Sequence, residues 1–154
     1  MTGSAPPREE RQIDMTLWTG DLNYVAVIVA ALIPMALGMW WYAPKYGLGD
    51  IWLNLIGMTQ EEIRESGGSG PAMGLTLIGA VVQSYVLALL VKMTGAAGFG
   101  EGAILGLWLL VGIIASTSLG VYVFAGRGLK LWAFNNAYHL VGIILMTGLL
   151  AAWS

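Results

Sequence analysis

The stretch Ile114–Leu140, IASTSLGVYVFAGRGLKLWAFNNAYHL, gathers most of the polar side chains that would otherwise lie inside long apolar segments. Ser116, Thr117 and Ser118 interrupt one apolar run, Arg127 and Lys130 mark a short turn, and Asn135, Asn136 and His139 stand in the next run. On a helix, side chains three and four positions apart share a face, which groups Asn135, Asn136 and His139. Polar groups at membrane depth are costly unless they face protein or water, so this face is expected to look inward. Its partners are expected from Gln83 and from Ser116–Ser118. Gln83, Ser116, Thr117, Ser118, Asn135, Asn136 and His139 therefore form a candidate polar interior site.

The rest of the chain explains why such a site would be inside a membrane. Of 154 residues, 57% are hydrophobic and 10% charged, and the mean hydropathy is +0.73; soluble domains carry about 25% charged residues. The composition predicts an all-α integral membrane protein with four transmembrane helices in an antiparallel bundle, since four spans of ~20 residues and short loops use up the length. A net charge of -2 and the lack of a Lys/Arg cluster argue against a nucleic-acid partner. With no cysteine there is neither a disulfide nor a thiolate site.

Residues 1–21 are polar, contain Pro6-Pro7 and lack an apolar period. They are expected to be a disordered tail before a transmembrane domain at 22–154. The first apolar run starts near Tyr24 and is long enough to span, so it reads as a retained anchor and not as a cleaved signal. Spans are expected at 24–42, 72–92, 101–124 and 131–153, with Trp40, Trp41, Tyr42, Trp132 and Trp153 at their ends as an aromatic belt. Pro34 should bend the first span. The loop after it reads as a short interfacial helix through Ile51, Trp52, Leu55 and Ile56, then a capping box at Thr59-Gln60-Glu61-Glu62 ended by Gly67-Gly68.

Small residues recur every four positions at Ala26, Ala30, Pro34 and Gly38, at Ala80, Ser84 and Ala88, at Gly102 and Gly106, and at Gly112, Ser116 and Gly120. Such stripes let membrane helices approach closely, so all are expected to be contact faces. The Ser116–Ser118 hydroxyls are expected to bond carbonyls of the preceding turn. An even number of spans puts both termini on one side. Lys45, Arg64, Arg127 and Lys130 favour a cytoplasmic side for the first and third loops, hence extracytoplasmic termini. A faint echo between Gly47–Asn54 and Gly128–Asn135 suggests two related hairpins.

Trp41-Tyr42-Ala43-Pro44 with Gly47 and Trp52, followed by Thr117-Ser118-Leu119, Phe124-Ala125-Gly126-Arg127 and Ala137-Tyr138-His139-Leu140, gives the region from Asn23 to Trp153 a family likeness. It resembles domain of unknown function (DUF) 1761, a family of small four-span bacterial and archaeal membrane proteins. The resemblance implies the four-span fold and no activity. An Asn is frequent in that pattern where Gly120 stands and a Glu where Ala125 stands, so a role of those side chains in relatives would be lost or changed here.

Enzyme chemistry finds little support. His139 is the single histidine, which excludes a site built on several histidines. A triad drawn through Ser116 or Ser118 would need Glu101, which lies at the far start of the third span. No cofactor is implied. The chain is read as a multi-pass cell-membrane protein of non-enzymatic role, in packing or assembly within the bilayer and in a possible homo-oligomer. The alternative is a small-solute or ion transporter or channel acting as an oligomer. The ligand is left unnamed.

Overall fold

Inside a bilayer a backbone must satisfy its own N–H and C=O groups, and the apolar runs of this chain do so as helices. The structure, a computed structural model, describes residues 21–65 and 70–153. The expected tail lies outside the described residues except for Asp21, and so does the Gly67-Gly68 stop signal. In order, the elements are α1 (Tyr24–Trp41), α2 (Gly49–Ile56), α3 (Gln60–Glu65), α4 (Gly70–Thr94), α5 (Gly98–Leu109), a π-helical stretch (Leu110–Ala115), α6 (Ser116–Phe124) and α7 (Leu129–Ala152). Four spans are long and apolar enough to cross a membrane: α1, the Ala72–Thr94 part of α4, the continuous Gly98–Phe124 unit and α7. The fold is all-α, and its four spans agree with the expected ones to within a few residues. Asn23 caps α1 by accepting from Ala26 N–H at 3.1 Å, and its side-chain amide donates to Trp153 O at 2.9 Å. The two ends of the described spans thus meet on one side of the bundle.

The first loop folds back onto the opposite end. Gly47 lies so close to the Trp40 carbonyl that a side chain there would collide with it. Next comes α2, whose Trp52 ring meets Tyr42 edge-on at 5.3 Å. Gly57, at φ 68, ends that helix in the left-handed region where glycine carries no steric penalty. The capping box forms as expected: Thr59 N–H donates to Glu62 Oε2 at 2.7 Å and Glu62 N–H to Thr59 Oγ1 at 3.3 Å. The bond from the Thr59 backbone, then that from its hydroxyl, holds the Glu62 carboxyl below its ordinary value. Of the two echoing sequence stretches, one is the 8-residue α2 and the other opens the 24-residue α7. The echo does not extend to two equivalent hairpins.

α7 is the hub, touching α1, α2, α4, α5, the π stretch and α6, while α4 also packs on α1. The apolar core lies in the half of the bundle that holds Asn23 and Trp153. It is built from Ala26, Val27 and Ala30 of α1, Leu87, Ala88 and Val91 of α4, and Met146, Leu150 and Ala151 of α7. Two small stripes meet there as expected: Ala30 is 0% exposed, and Ser84, also at 0%, donates its hydroxyl to Val27 O at 2.7 Å across the α1–α4 contact. Gly102 and Gly106 face α7 so closely that a Cβ on them would strike the Thr147 carbonyl and hydroxyl, respectively.

Toward the other end the bundle loosens. Every residue from Ala72 to Gly79 is exposed, so α4 docks only from Ala80 onward. The third span also departs from expectation. Its four-residue spacing assumes an unbroken α-helix, but the π-helical stretch accommodates one extra residue in its wider turn, rotating the remainder of the span by roughly 100°. Gly102, Gly106 and Leu110 are buried, and beyond the bulge it is the half-buried Ser118 and Tyr122 that reach α7. Gly112 and Gly120 have nothing within 4 Å of a built Cβ, and Ser116 is exposed. Among the described residues this lower stripe is therefore not a contact face within the chain.

Ala30→Leu and Gly106→Leu should each lower thermal stability, with overpacking costs of about 1–3 kcal/mol. Gly112→Leu and Val29→Leu should leave the fold of the single chain nearly unchanged. Melting curves in detergent decide it, and equal midpoints for all four variants would contradict the packing described.

Candidate functional site

Between the core and the loosened end, the polar residues of α7 meet aromatic hydroxyls and indoles from its neighbours. Tyr42, the residue that ends α1, donates its hydroxyl to Asn135 Oδ1 at 3.0 Å, and Asn135 Nδ2 donates to Tyr122 OH at 2.7 Å. One amide thus joins α1, α7 and α6. The Tyr42 ring also packs on Phe134 and Tyr138, at centroid distances of 6.1 and 5.4 Å. Burial first, then the Tyr138 and Tyr122 phenols beside it, push the Tyr42 hydroxyl up from 10.0 to about 12. The phenol is neutral at ordinary pH and remains a donor.

A second group surrounds the π-helical stretch. The Ala115 carbonyl, at the end of the wider turn, accepts from Trp132 Nε1 at 3.3 Å and from Ser118 Oγ at 3.2 Å. Ser118 Oγ in turn accepts from Trp132 Nε1 at 3.1 Å and from Asn136 Nδ2 at 3.3 Å. Asn136 Nδ2 also donates to Trp132 O at 2.9 Å, while its Oδ1 is buried without a partner among the described residues. Ser116 bonds Gly112 O at 2.8 Å and Thr117 bonds Ile113 O, both from the exposed side of the span. They take no part in the group.

Gln83 and His139 form a third group. With Pro34, Tyr138, Gly142, Ile143 and Met146 they line a cavity of about 10 Å³. The expected single interior face is therefore corrected. Asn135 and Asn136 lie 100° apart on the helix and bond to different neighbours, His139 lines a cavity with Gln83 and meets the Tyr138 ring edge-on, and of Ser116–Ser118 only Ser118 reaches the Asn face. The partners that sequence reasoning misses are Tyr42, Tyr122, Trp132 and Tyr138, which it reads as belt residues or passes over. Their polar tips are the available signal, because a buried Tyr or Trp normally finds a hydrogen-bond partner.

The described residues contain no group of three His, Cys, Asp or Glu side chains placed to hold a metal ion. Glu101 accepts from Ala97 N–H at 2.8 Å at the start of α5, far along the bundle from Ser118 and His139. A family model described as "Protein of unknown function (DUF1761)" matches residues 25–151. No curated protein and no solved structure matches.

Double-mutant cycles on Tyr42→Phe and Asn135→Leu should give a coupling of about 0.6 kcal/mol, the usual size for a hydrogen bond between membrane helices. The pH dependence has a definite sign. A phenol with a raised folded pKa contributes stability below its unfolded value of 10.0, and this is lost as pH rises through about 12. Wild-type stability should fall more steeply over that window than that of Tyr42→Phe, and parallel curves would count against the buried phenol.

Proposed function

The chain belongs to the DUF1761 family of proteins of unknown function, and from that premise we propose that it is a non-enzymatic membrane protein that assembles with copies of itself. The observation that carries this reading is the uncovered Gly112–Ser116–Gly120 stripe. Lipid is content against large apolar side chains, whereas small residues on an outer face are what close helix–helix approach uses. The same span supplies the comparison. Gly102 and Gly106 sit against α7, whereas Gly112 and Gly120 meet no neighbour among the described residues. Only 11% of the third span's most apolar window is buried, against 39% for the fourth. A second copy laid along the stripe would bury what α7 leaves open.

A non-enzymatic role is supported by what the polar residues do. Asn135, Asn136, Ser118 and Trp132 tie helices together, and Glu101 is engaged in capping α5. In this reading the protein resides in the cell membrane, with the loops holding Lys45, Arg64, Arg127 and Lys130 cytoplasmic and the termini extracytoplasmic. One observation favours the second reading, a small-solute or ion pathway in an oligomer: Gln83 and His139 stand near the middle of their spans beside a cavity. His139→Ala should abolish a flux in proteoliposomes under that reading alone.

Cysteine is absent from the chain, so single cysteines at Gly112 and Gly120 test the interface directly. Oxidation in native membranes should give a crosslinked dimer, whereas a cysteine at Val25 on an unrelated face should not. Gly120→Leu should shift the detergent-solubilised protein from dimer to monomer at unchanged melting temperature. Monomer at every concentration together with no crosslink at either glycine would overturn the proposal.

A further inference from the structure

Four irregularities fall at one depth. Pro34 is near the middle of Tyr24–Trp41, Gln83 of Ala72–Thr94, the π-helical stretch of Gly98–Phe124, and His139 of Leu129–Ala152. At this level α4 leaves the bundle: Ser84 is buried, Gln83 half-buried, and everything from Gly79 back to Ala72 exposed. The cavity lined by Gln83 and His139 therefore sits in the crotch where α4 and α7 separate, and His139 lines it while remaining exposed on the bundle surface. Such a crotch opens sideways, toward the acyl chains.

Among the described residues neither Gln83 nor His139 has a hydrogen-bond partner. Polar side chains at mid-membrane depth without partners are costly, so two of them on one cavity call for an occupant. The volume, about 10 Å³, is that of a single oxygen-sized group. Around the two polar groups the lining is apolar, from Pro34, Gly142, Ile143 and Met146, and Tyr138 already donates its hydroxyl to Pro34 O at 2.8 Å. Among the described residues no charged side chain lines the cavity, so a charged head would be uncompensated. The amide N–H₂ of Gln83 and an imidazole N–H of His139 both donate, and a carbonyl oxygen accepts two hydrogen bonds. A water could bond the same two groups, but the sideways opening toward the acyl chains suits an oxygen carried on an apolar body.

We propose that Gln83 and His139 form a lateral binding site at the membrane midplane for the carbonyl oxygen of an uncharged, lipid-dissolved molecule, whose apolar body lies in the cleft between α4 and α7. The proposal does not rest on self-assembly, since the site is built within one chain.

The single histidine makes the test selective: ¹⁵N-histidine labelling of the full chain in nanodiscs reports His139 alone. Titration with decylubiquinone, a carbonyl-bearing probe, should shift the imidazole resonances saturably, while decane, which has no oxygen, should not. Gln83→Met should weaken the apparent affinity about tenfold, as expected for roughly 1.4 kcal/mol of lost hydrogen bonding. Gly142→Ala supplies a second variant that keeps both polar groups. A Cβ there meets only Leu37 Cδ2 at 3.8 Å, so the fold should hold while the narrowed cavity weakens binding. The absence of a saturable shift, an equal response to decane, or unchanged affinity in both variants would overturn the proposal. So would an imidazole-to-water contact that persists at saturating probe, which would mark the cavity as a water site.

Discussion

In a bilayer a carbonyl released from a helix has no water to turn to, and this chain releases carbonyls in two of its four spans. Pro34 cannot donate within α1, and the π-helical stretch breaks the regular ladder of the third span. Close to these irregular turns and beside the core, α7 and α4 bond to the backbone of their neighbours: Tyr138 donates to Pro34 O, Trp132 to Ala115 O and Ser84 to Val27 O. These bonds join different helices, so each irregular turn is also a point of attachment. α7 carries aromatic donors, Trp132 and Tyr138, long enough to reach a neighbour's backbone.

The two halves of the bundle are held by different physics. Near Asn23 and Trp153, small residues on α1, α4 and α5 let backbones approach, and Met146, Thr147 and Leu150 of α7 fill the space with dispersion contacts. Toward the first and third loops, the contacts are amide to phenol and indole to hydroxyl, stiffened by edge-on aromatic pairs such as Trp41–Phe134 at 5.8 Å. Residues 72–79 of α4 stay uncovered beside that second layer, which leaves the Gln83–His139 pair at the border between a closed half and an open one.

Within the polar half, the Asn135-Asn136 pair shows how two identical neighbours acquire different roles. Asn135 uses both ends of its amide, accepting from Tyr42 and donating to Tyr122, and so fixes the end of α1 against α6. Asn136 uses its N–H₂ on Ser118 and on the backbone of Trp132, while its buried oxygen meets no donor among the described residues. The difference comes from position alone, since one faces a gap lined by phenols and the other the hydroxyl beside a π turn.

Sequence alone determined the number of spans, their approximate ends, the capping box at Thr59 and Glu62 and the backbone bonding of Ser116 and Thr117. All of these depend on composition or on residues within one helical turn of each other. Tertiary structure decided three things. The π-helical stretch took the Gly112–Ser116–Gly120 stripe away from α7, α4 separated from the bundle before Ala80, and the Asn135–His139 face divided, Asn135 bonding Tyr42 and Tyr122, Asn136 bonding Ser118, and His139 lining a cavity. A small-residue period states that a helix can be approached but not from which side. That side is set by the rotational phase of each helix, and one inserted residue changes the phase of everything after it, through contacts made by residues far away in the chain.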